Sequence, residues 1–464
     1  MLPARHCLFI AVVFVGNASL TLADQPVDVG SRLELFVDDH LISKTEGDVV
    51  QHLVRPKPEE VVFETGESWE GNTSGYYTFF RDGDLYRMIY RGWQHDEQKK
   101  AEHKEITCYA ESKDGRTWVK PKLGLFEWEG SKDNNIVWME IGTHNFTAFR
   151  DDNPATSKEA RFKAFGGGRG GLIAFQSPDC IHWKVIRDKP VITHGAFDSQ
   201  NLAFWDTDRR EYRAYWRFFT KGTTSQKVWK PGGFRAIRTA TSKDFIKWES
   251  EADLTYPKGT PDEHLYTNAI QKYFRAPHLF LGFPTRYESK SQQVEPIFMA
   301  SRDGVHFKRY KDAVVPRTAP KDRNHNRSNY MTWGMFQLPG KSKEIAVYAT
   351  ENYYERTPGR IRRFTYRVDG FVALRSGTNG GSVLTKPLKY KGQQLRLNYV
   401  VNNGGQLTVK LYDAKGQQIG QSKPITGDAV DAVVDWQQAP KLSNGTVQLR
   451  FELSNADLYS MRFQ

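Results

Sequence analysis

Three acidic residues stand at matching places in a chain that repeats itself. Sixty-five residues separate Asp198 from Glu263, and 128 separate Glu70 from Asp198, close to one period and to two. Carboxyl groups crowded into a water-poor channel can divide labour, because crowding raises the pKa of one while its neighbour stays charged. Cleavage of a glycosidic bond needs that division: one carboxyl protonates the leaving oxygen and the other acts on the opposite face of the sugar. A separation of about 6.5 to 9.5 Å between the two implies inversion, and about 5 to 5.5 Å implies retention. The alternative for Glu70 and Glu263 is a solvated loop position or an ion pair between repeats, since register alone does not make a site.

A second constellation is basic. Leu85-Tyr-Arg-Met-Ile-Tyr-Arg91 and Glu211-Tyr-Arg-Ala-Tyr-Trp-Arg217 match with Tyr, Arg and Arg in register, and Thr285-Arg286 holds the equivalent strand end in a later repeat. Guanidinium forks bind sulfate or carboxylate with two parallel hydrogen bonds, so Arg91, Arg217 and Arg286 are candidates for anion recognition. Their alternative role is salt bridging to Asp82, Asp206 or Asp208. His144 and His264, with Gln200 and Arg327, stand at corresponding places as candidate substrate-binding groups or packed channel residues. Asp38 and Asp39 are adjacent on a strand-like run, so they point to opposite faces and cannot serve one site together.

These residues need a scaffold, and a short pattern supplies it. Ser112-Lys-Asp-Gly-Arg-Thr-Trp118, Ser177-Pro-Asp-Cys-Ile-His-Trp183, Ser242-Lys-Asp-Phe-Ile-Lys-Trp248, Ser301-Arg-Asp-Gly-Val-His-Phe307 and a decayed Arg367-Val-Asp-Gly-Phe371 place their aspartates 65, 65, 59 and 66 residues apart. A fixed period marks a repeat fold. The aspartates read as turn residues, whose side chains can accept hydrogen bonds from nearby backbone amides. Each copy follows an apolar, β-branched run, and two further strand-like runs lie upstream in every repeat, such as Tyr76 to Phe80 with Leu85 to Tyr90 and Met331 to Leu338 with Ile345 to Thr350. Five small antiparallel sheets repeated radially make an all-β, five-bladed β-propeller. The innermost strands of such a ring line its channel, so Glu70, His144, Asp198, Glu263 and Arg327 would converge at one mouth.

On these residues and this register the chain resembles the five-bladed β-propeller glycoside hydrolases, the group that includes families 43 and 32, as a distant and separate family. The resemblance covers residues 60 to 375, and the tail looks like the appended domain of family 32 enzymes. It implies Glu70 or a neighbour as base, Asp198 as the residue that orients the sugar and tunes the acid, and Glu263 as general acid. The Asn-Asp-Pro-Asn, Arg-Asp-Pro and Glu-Cys signatures of family 32 are absent, and the blade-one acid is Glu where family 43 has Asp.

Beyond the fifth repeat, Gly377-Thr-Asn-Gly-Gly381 reads as a breaker, and the strand-like runs after it fit a C-terminal β-sandwich over residues 378–464. Between residues 24 and 59, Leu33 to Ile42 reads as an extra strand that either closes the ring or packs on the tail. Residues 1–23 have the charged, apolar and small-residue parts of a secretory signal, and no later run approaches the ~20 apolar residues of a membrane-spanning helix. A secreted or periplasmic protein is therefore expected. Export would permit a Cys108–Cys180 disulfide without requiring one. No cofactor or structural-metal spacing is present, although a Ca²⁺ in the channel stays open. A formal charge of +12 and a pI near 9.3 point to an anionic partner. The basic residues are dispersed with no nucleic-acid module, so an acidic, even sulfated, polysaccharide is the expected substrate of a glycoside hydrolase. A glycan-binding propeller without catalysis and a glycoside phosphorylase are the alternatives.

Overall fold

The computed structural model describes every residue except 1–24, 96–101, 169, 226, 317–329, 355–357, 441 and 443. The segment read as a signal and Arg327 lie outside the described residues. The described chain is all-β, and its propeller has five blades. Blade one pairs Gly75–Asp82, Leu85–Gly92, Ile106–Ser112 and Ile136–Trp138 in that order. Blade two uses Thr147–Arg150, Phe162–Gly168, Gly171–Ser177 and Lys184–Val185, and blade three uses Leu202–Asp206, Glu211–Thr224, Trp229–Ser242 and Trp248–Asp253. Blade four is built from Gln271–Tyr273, Ala276–Gly282, Gln293–Ser301 and Phe307–Ala313, with Thr285–Glu288 added beside Gln293–Ser301.

Blade five is completed from elsewhere in the chain. Glu344–Glu351 pairs with Arg360–Arg367, whose other edge takes Lys57–Glu64 from ahead of blade one. The expected inner strand from Met331 to Leu338 is held only through single bridges, Met331 to Ala349 and Phe336 to Ala346. The Phe79 N–H donates to the Trp333 carbonyl at 2.8 Å, which joins blade one to blade five. Leu33 to Ile42 takes the second of its two expected roles: Glu34–Leu35 pairs with Ser460 and Met461 of the tail sheet. Ring closure falls to Lys57–Glu64, whose Lys-Pro-Glu-Glu opening hides it from a hydrophobic pattern.

The repeated motif is a turn, as its residue types require. In each of the first four copies the serine Oγ accepts the N–H two residues on and the next one as well, and the aspartate Oδ1 accepts two further N–H groups, Ile246 and Lys247 at 2.8 Å for Asp244. The residue after the aspartate is left-handed in these four copies: Gly115 (φ 70°), Cys180 (φ 70°), Phe245 (φ 68°) and Gly304 (φ 80°); in the decayed fifth copy Asp369 itself is (φ 59°). Glycine meets that demand without steric cost, whereas Cys180 and Phe245 are held there by burial. The turn docks on the preceding blade. The Tyr215 hydroxyl donates to the Gly304 carbonyl at 2.9 Å, Tyr348 does the same to Gly115 at 2.7 Å, and Phe245 stacks on Phe165 at 4.8 Å. Cys108 and Cys180 are both buried and unpaired, so the disulfide does not form.

The tail forms its own core around Phe36, Val383, Leu397, Val409, Leu449 and Phe451. Gly377–Gly381 does not end a strand. Val372–Thr385 runs through it with a register shift between Ser376 and Gly381, and Leu395–Asp413 shifts between Val401 and Gln406 where it pairs with Gly445–Phe463. Runs that look like separate strands in sequence are thus single strands bent at a common corner, which folds one sheet over its own core. Ile42–Leu53 lies along the edge of Val372–Thr385.

Candidate active site

The chain segments that enter the innermost strands meet at one recess. Tyr76, Tyr266, Tyr330 and Tyr353 wall it, and Gln200 lies among its lining, around a cavity of about 30 Å³. Tyr76 opens the inner strand of blade one with φ 53°, a left-handed conformation that a tyrosine holds only when its surroundings impose it.

One side of the recess is organised by Arg91, which is buried. Its guanidinium lies over the rings of Tyr76 and Trp93 at 4.7 and 4.8 Å. It donates to the Thr73 carbonyl at 2.8 Å, the Tyr353 hydroxyl at 2.9 Å and the His144 carbonyl at 3.2 Å. Glu105 completes this side, 2.6 Å from His144 Nδ1 and 3.5 Å from Arg91. Burial pushes the Glu105 carboxyl up, but His144 and Arg91 outweigh it and hold the group below the usual glutamate range.

The other side is built on Asp198, whose side chain is 43% exposed and whose Oδ1 takes Arg217. Arg217 is buried and lies over Tyr266 at 4.8 Å. Arg235 joins it, over Tyr287 at 4.6 Å, Phe219 at 5.1 Å and Tyr266 at 5.5 Å. Burial and the neighbouring Arg217 charge both lower the Arg235 pKa, which is the signature of two guanidiniums in one place. Tyr76 connects the two sides: its hydroxyl donates to the Asp198 carbonyl at 3.3 Å and its ring sits 5.7 Å from that of His144.

The three expected carboxylates do not face one another. Glu70 is enclosed, with its side chain 0% exposed. Its oxygens accept from Lys120 at 2.7 Å, Tyr90 at 2.5 Å and the Glu67 N–H at 3.0 Å. Burial raises its pKa even against Lys120 and Tyr90. Glu263 is claimed by two guanidiniums, Arg286 at 3.0 Å and Arg309 at 3.2 Å. Arg286 in turn is occupied by Glu263 and Glu295, which makes it a strut and not a clamp for ligand. Residues 65 apart in sequence share a blade position but not a side-chain direction, which depends on loop path. Asp82, Asp206 and Asp208, the suggested partners of Arg91, Arg217 and Arg286, bind Arg87, Arg161, Arg209 and Lys272 instead. Asp38 and Asp39 lie in a bend after Glu34–Leu35, not on a strand, and diverge to Arg302 and Lys308.

Gln200 lines the recess, while Arg91, His144 and Arg217 pack against its tyrosine walls. Gln200 is buried and its Oε1 has no hydrogen-bond partner, so an acceptor is available to a ligand hydroxyl. His264 lies at the rim, where its Nδ1 accepts the Arg235 N–H at 3.2 Å. Sequence reading missed Glu105, Arg235 and the tyrosines. Tyr266 and Tyr330 are 64 residues apart, one period, and that spacing was a usable signal. Glu105 and Arg235 offered none, because each acts from a loop or strand extension specific to its blade. Among the described residues no cluster of His, Cys, Asp and Glu could hold a metal ion.

No protein-family profile matches the chain, and no curated protein matches it. Solved structures do. The chain is similar to a glycoside hydrolase at 16% identity and a TM-score of 0.46, over 68% of this chain and 92% of that one. It is similar to a family 43 arabinoxylan arabinofuranohydrolase from Bacillus subtilis, solved with cellotetraose, at 11% identity and 0.43, over 86% and 96%. A β-1,2-mannobiose phosphorylase from Listeria innocua, solved with β-1,2-mannobiose, is similar at 11% and 0.45, over 68% and 94%.

Proposed function

We propose that the protein is a glycan-acting enzyme that hydrolyses a glycosidic bond of an acidic saccharide at the propeller mouth, after export directed by residues 1–23. One observation carries the reading: Asp198 is a carboxylate left nearly half open beside the tyrosine-walled recess, joined to it through Tyr76, while a buried guanidinium fixes its position. A carboxylate so placed can move a proton to or from the sugar linkage, and Glu105, kept ionised across Tyr76, supplies the second carboxylate that activates water. Arg217 and Arg235 together outnumber Asp198, so the mouth favours a sugar that brings a negative group.

Screening neutral, uronate-bearing and sulfated oligosaccharides for reducing-end release tests this, with Asp198→Asn as the key variant. Turnover of an acidic substrate that falls a hundredfold or more in the variant, with the fold intact, supports the assignment. Wild-type binding without turnover would make the protein a lectin. A second reading, phosphorolysis, is favoured by the enclosure of Glu70 and the pairing of Glu263, which leave few free carboxylates beside the guanidiniums. Phosphate is its own nucleophile and needs no general base; a phosphate-dependent rate and a sugar phosphate product would identify that chemistry.

A further inference from the structure

The hairpin of blade three is twice the length its fold position needs. Its strands, Glu211–Thr224 and Trp229–Ser242, have 14 residues each, against 7 and 7 for the equivalent pair in blade two. The inner strand Leu202–Asp206 pairs no further than Tyr215, so the part beyond Arg217 projects past the mouth as an arm. From Phe218 to Ile237 this arm contains no acidic residue and four basic ones, Lys221, Lys227, Lys230 and Arg235.

Register places the basic groups on one face. Arg235 pairs with Phe219, and past a register shift that leaves one extra residue on the returning strand Lys221 pairs with Gly232 and Lys230 with Thr223, so Phe219, Lys221 and Thr223 still alternate to the same side of their strand. At ~3.4 Å per residue, basic groups recur about every 7 Å outward from Arg235. Arg235 faces the recess, as its contacts with Tyr266 and Tyr287 require. Its Nε is buried without a hydrogen-bond partner, and among the described residues it forms no ion pair within 4 Å. A strut would have found a carboxylate; this guanidinium is stacked, desolvated and left one acceptor short.

We propose that the arm is a second anion subsite, centred on Arg235 and continued by Lys221 and Lys230, which holds the next charged residue of a polyanionic glycan. The proposal rests on the reading of the mouth as a glycan site and narrows its substrate to chains with charges on successive residues. Single-stranded nucleic acid fits less well. Its binding relies on free aromatic faces, and here guanidiniums lie over Tyr266, Tyr287 and Phe219.

The test is calorimetric binding of chondroitin sulfate disaccharide and tetrasaccharide to the full chain and to Lys221→Gln/Lys230→Gln, whose exposed positions spare the fold. The wild type should bind the tetrasaccharide at least tenfold more tightly than the disaccharide. The double variant should lose most of that advantage and part of the salt dependence, with the disaccharide unchanged within twofold. Equal loss for both lengths, an unchanged tetrasaccharide affinity, or no binding by the wild type overturns the subsite. Arg217→Gln separates the two readings: it should weaken both ligands. If it weakens neither while the arm variant still matters, the mouth reading fails and the continuous path with it. An oligonucleotide that outcompetes the tetrasaccharide overturns the glycan assignment.

Discussion

Replacing Glu34 by Gln should loosen the join between tail and propeller by an amount that depends on pH. Glu34 lies on the strand that pairs with Ser460 and Met461, and its carboxylate reaches Arg302 of the blade-four turn at 2.7 Å and Arg32 at 2.6 Å. Asp38 shares Arg302 at 2.7 Å. His278 Nε2 comes within 3.3 Å without hydrogen-bond alignment, so Arg302 is the partner that matters most. Burial pushes the Glu34 pKa up, but these neighbours bring it from 4.5 down to about 2. A carboxyl whose folded pKa is depressed adds stability above its unfolded pKa and loses it as pH falls towards the folded one. A depression of that size contributes roughly 3 kcal/mol at pH 7 and roughly half as much at pH 3. Urea unfolding of the wild type and Glu34→Gln at both pH values measures the gap. A gap that stays constant between pH 7 and pH 3, or one under ~1 kcal/mol at pH 7, would refute the linkage.

Glu70→Gln should destabilise the fold by roughly 3 kcal/mol or more, since it strands Lys120, while refolded protein keeps its turnover; a specific loss of kcat would return Glu70 to the chemistry. Glu263→Gln should likewise change kcat less than tenfold, because Glu295 still holds Arg286. Asp244→Ala removes the acceptor of two turn amides and should lower thermal stability by about 1–2 kcal/mol, seen as a reduced Tm without altered ligand affinity. Because Glu105 is held below the usual glutamate range, activity that needs it ionised should persist under pH 4.5, and Glu105→Gln should abolish that acid limb of the pH profile.

The propeller was legible in the chain because its instructions are local. A serine and an aspartate two residues apart, a residue suited to positive φ and an aromatic anchor form one turn within seven residues, and repetition at 59 to 66 residues states how often. Five blades follow from that alone, as does the structural role of the recurring aspartates. The outer strand of blade five was not legible: Lys57–Glu64 has no strand-like alternation and is ordered by an edge that only a closed ring offers. The corner of the tail sheet was misread for a related reason, since glycines that end a strand and glycines that bend one look alike until a partner strand fixes the register. The site divides in the same way. Period places Glu70, Asp198 and Glu263 at equivalent heights, but whether a carboxylate meets solvent or a cation is set by residues 19 to 50 positions away, as with Asp198 and Arg217, Glu70 and Lys120, Glu263 and Arg309. Tertiary structure alone decided that Asp198 stays nearly half exposed beside Arg217, that Glu105 meets His144 and Arg91, and that among the described residues Arg235 forms no ion pair, because long-range electrostatic pairing leaves no periodic trace in a sequence.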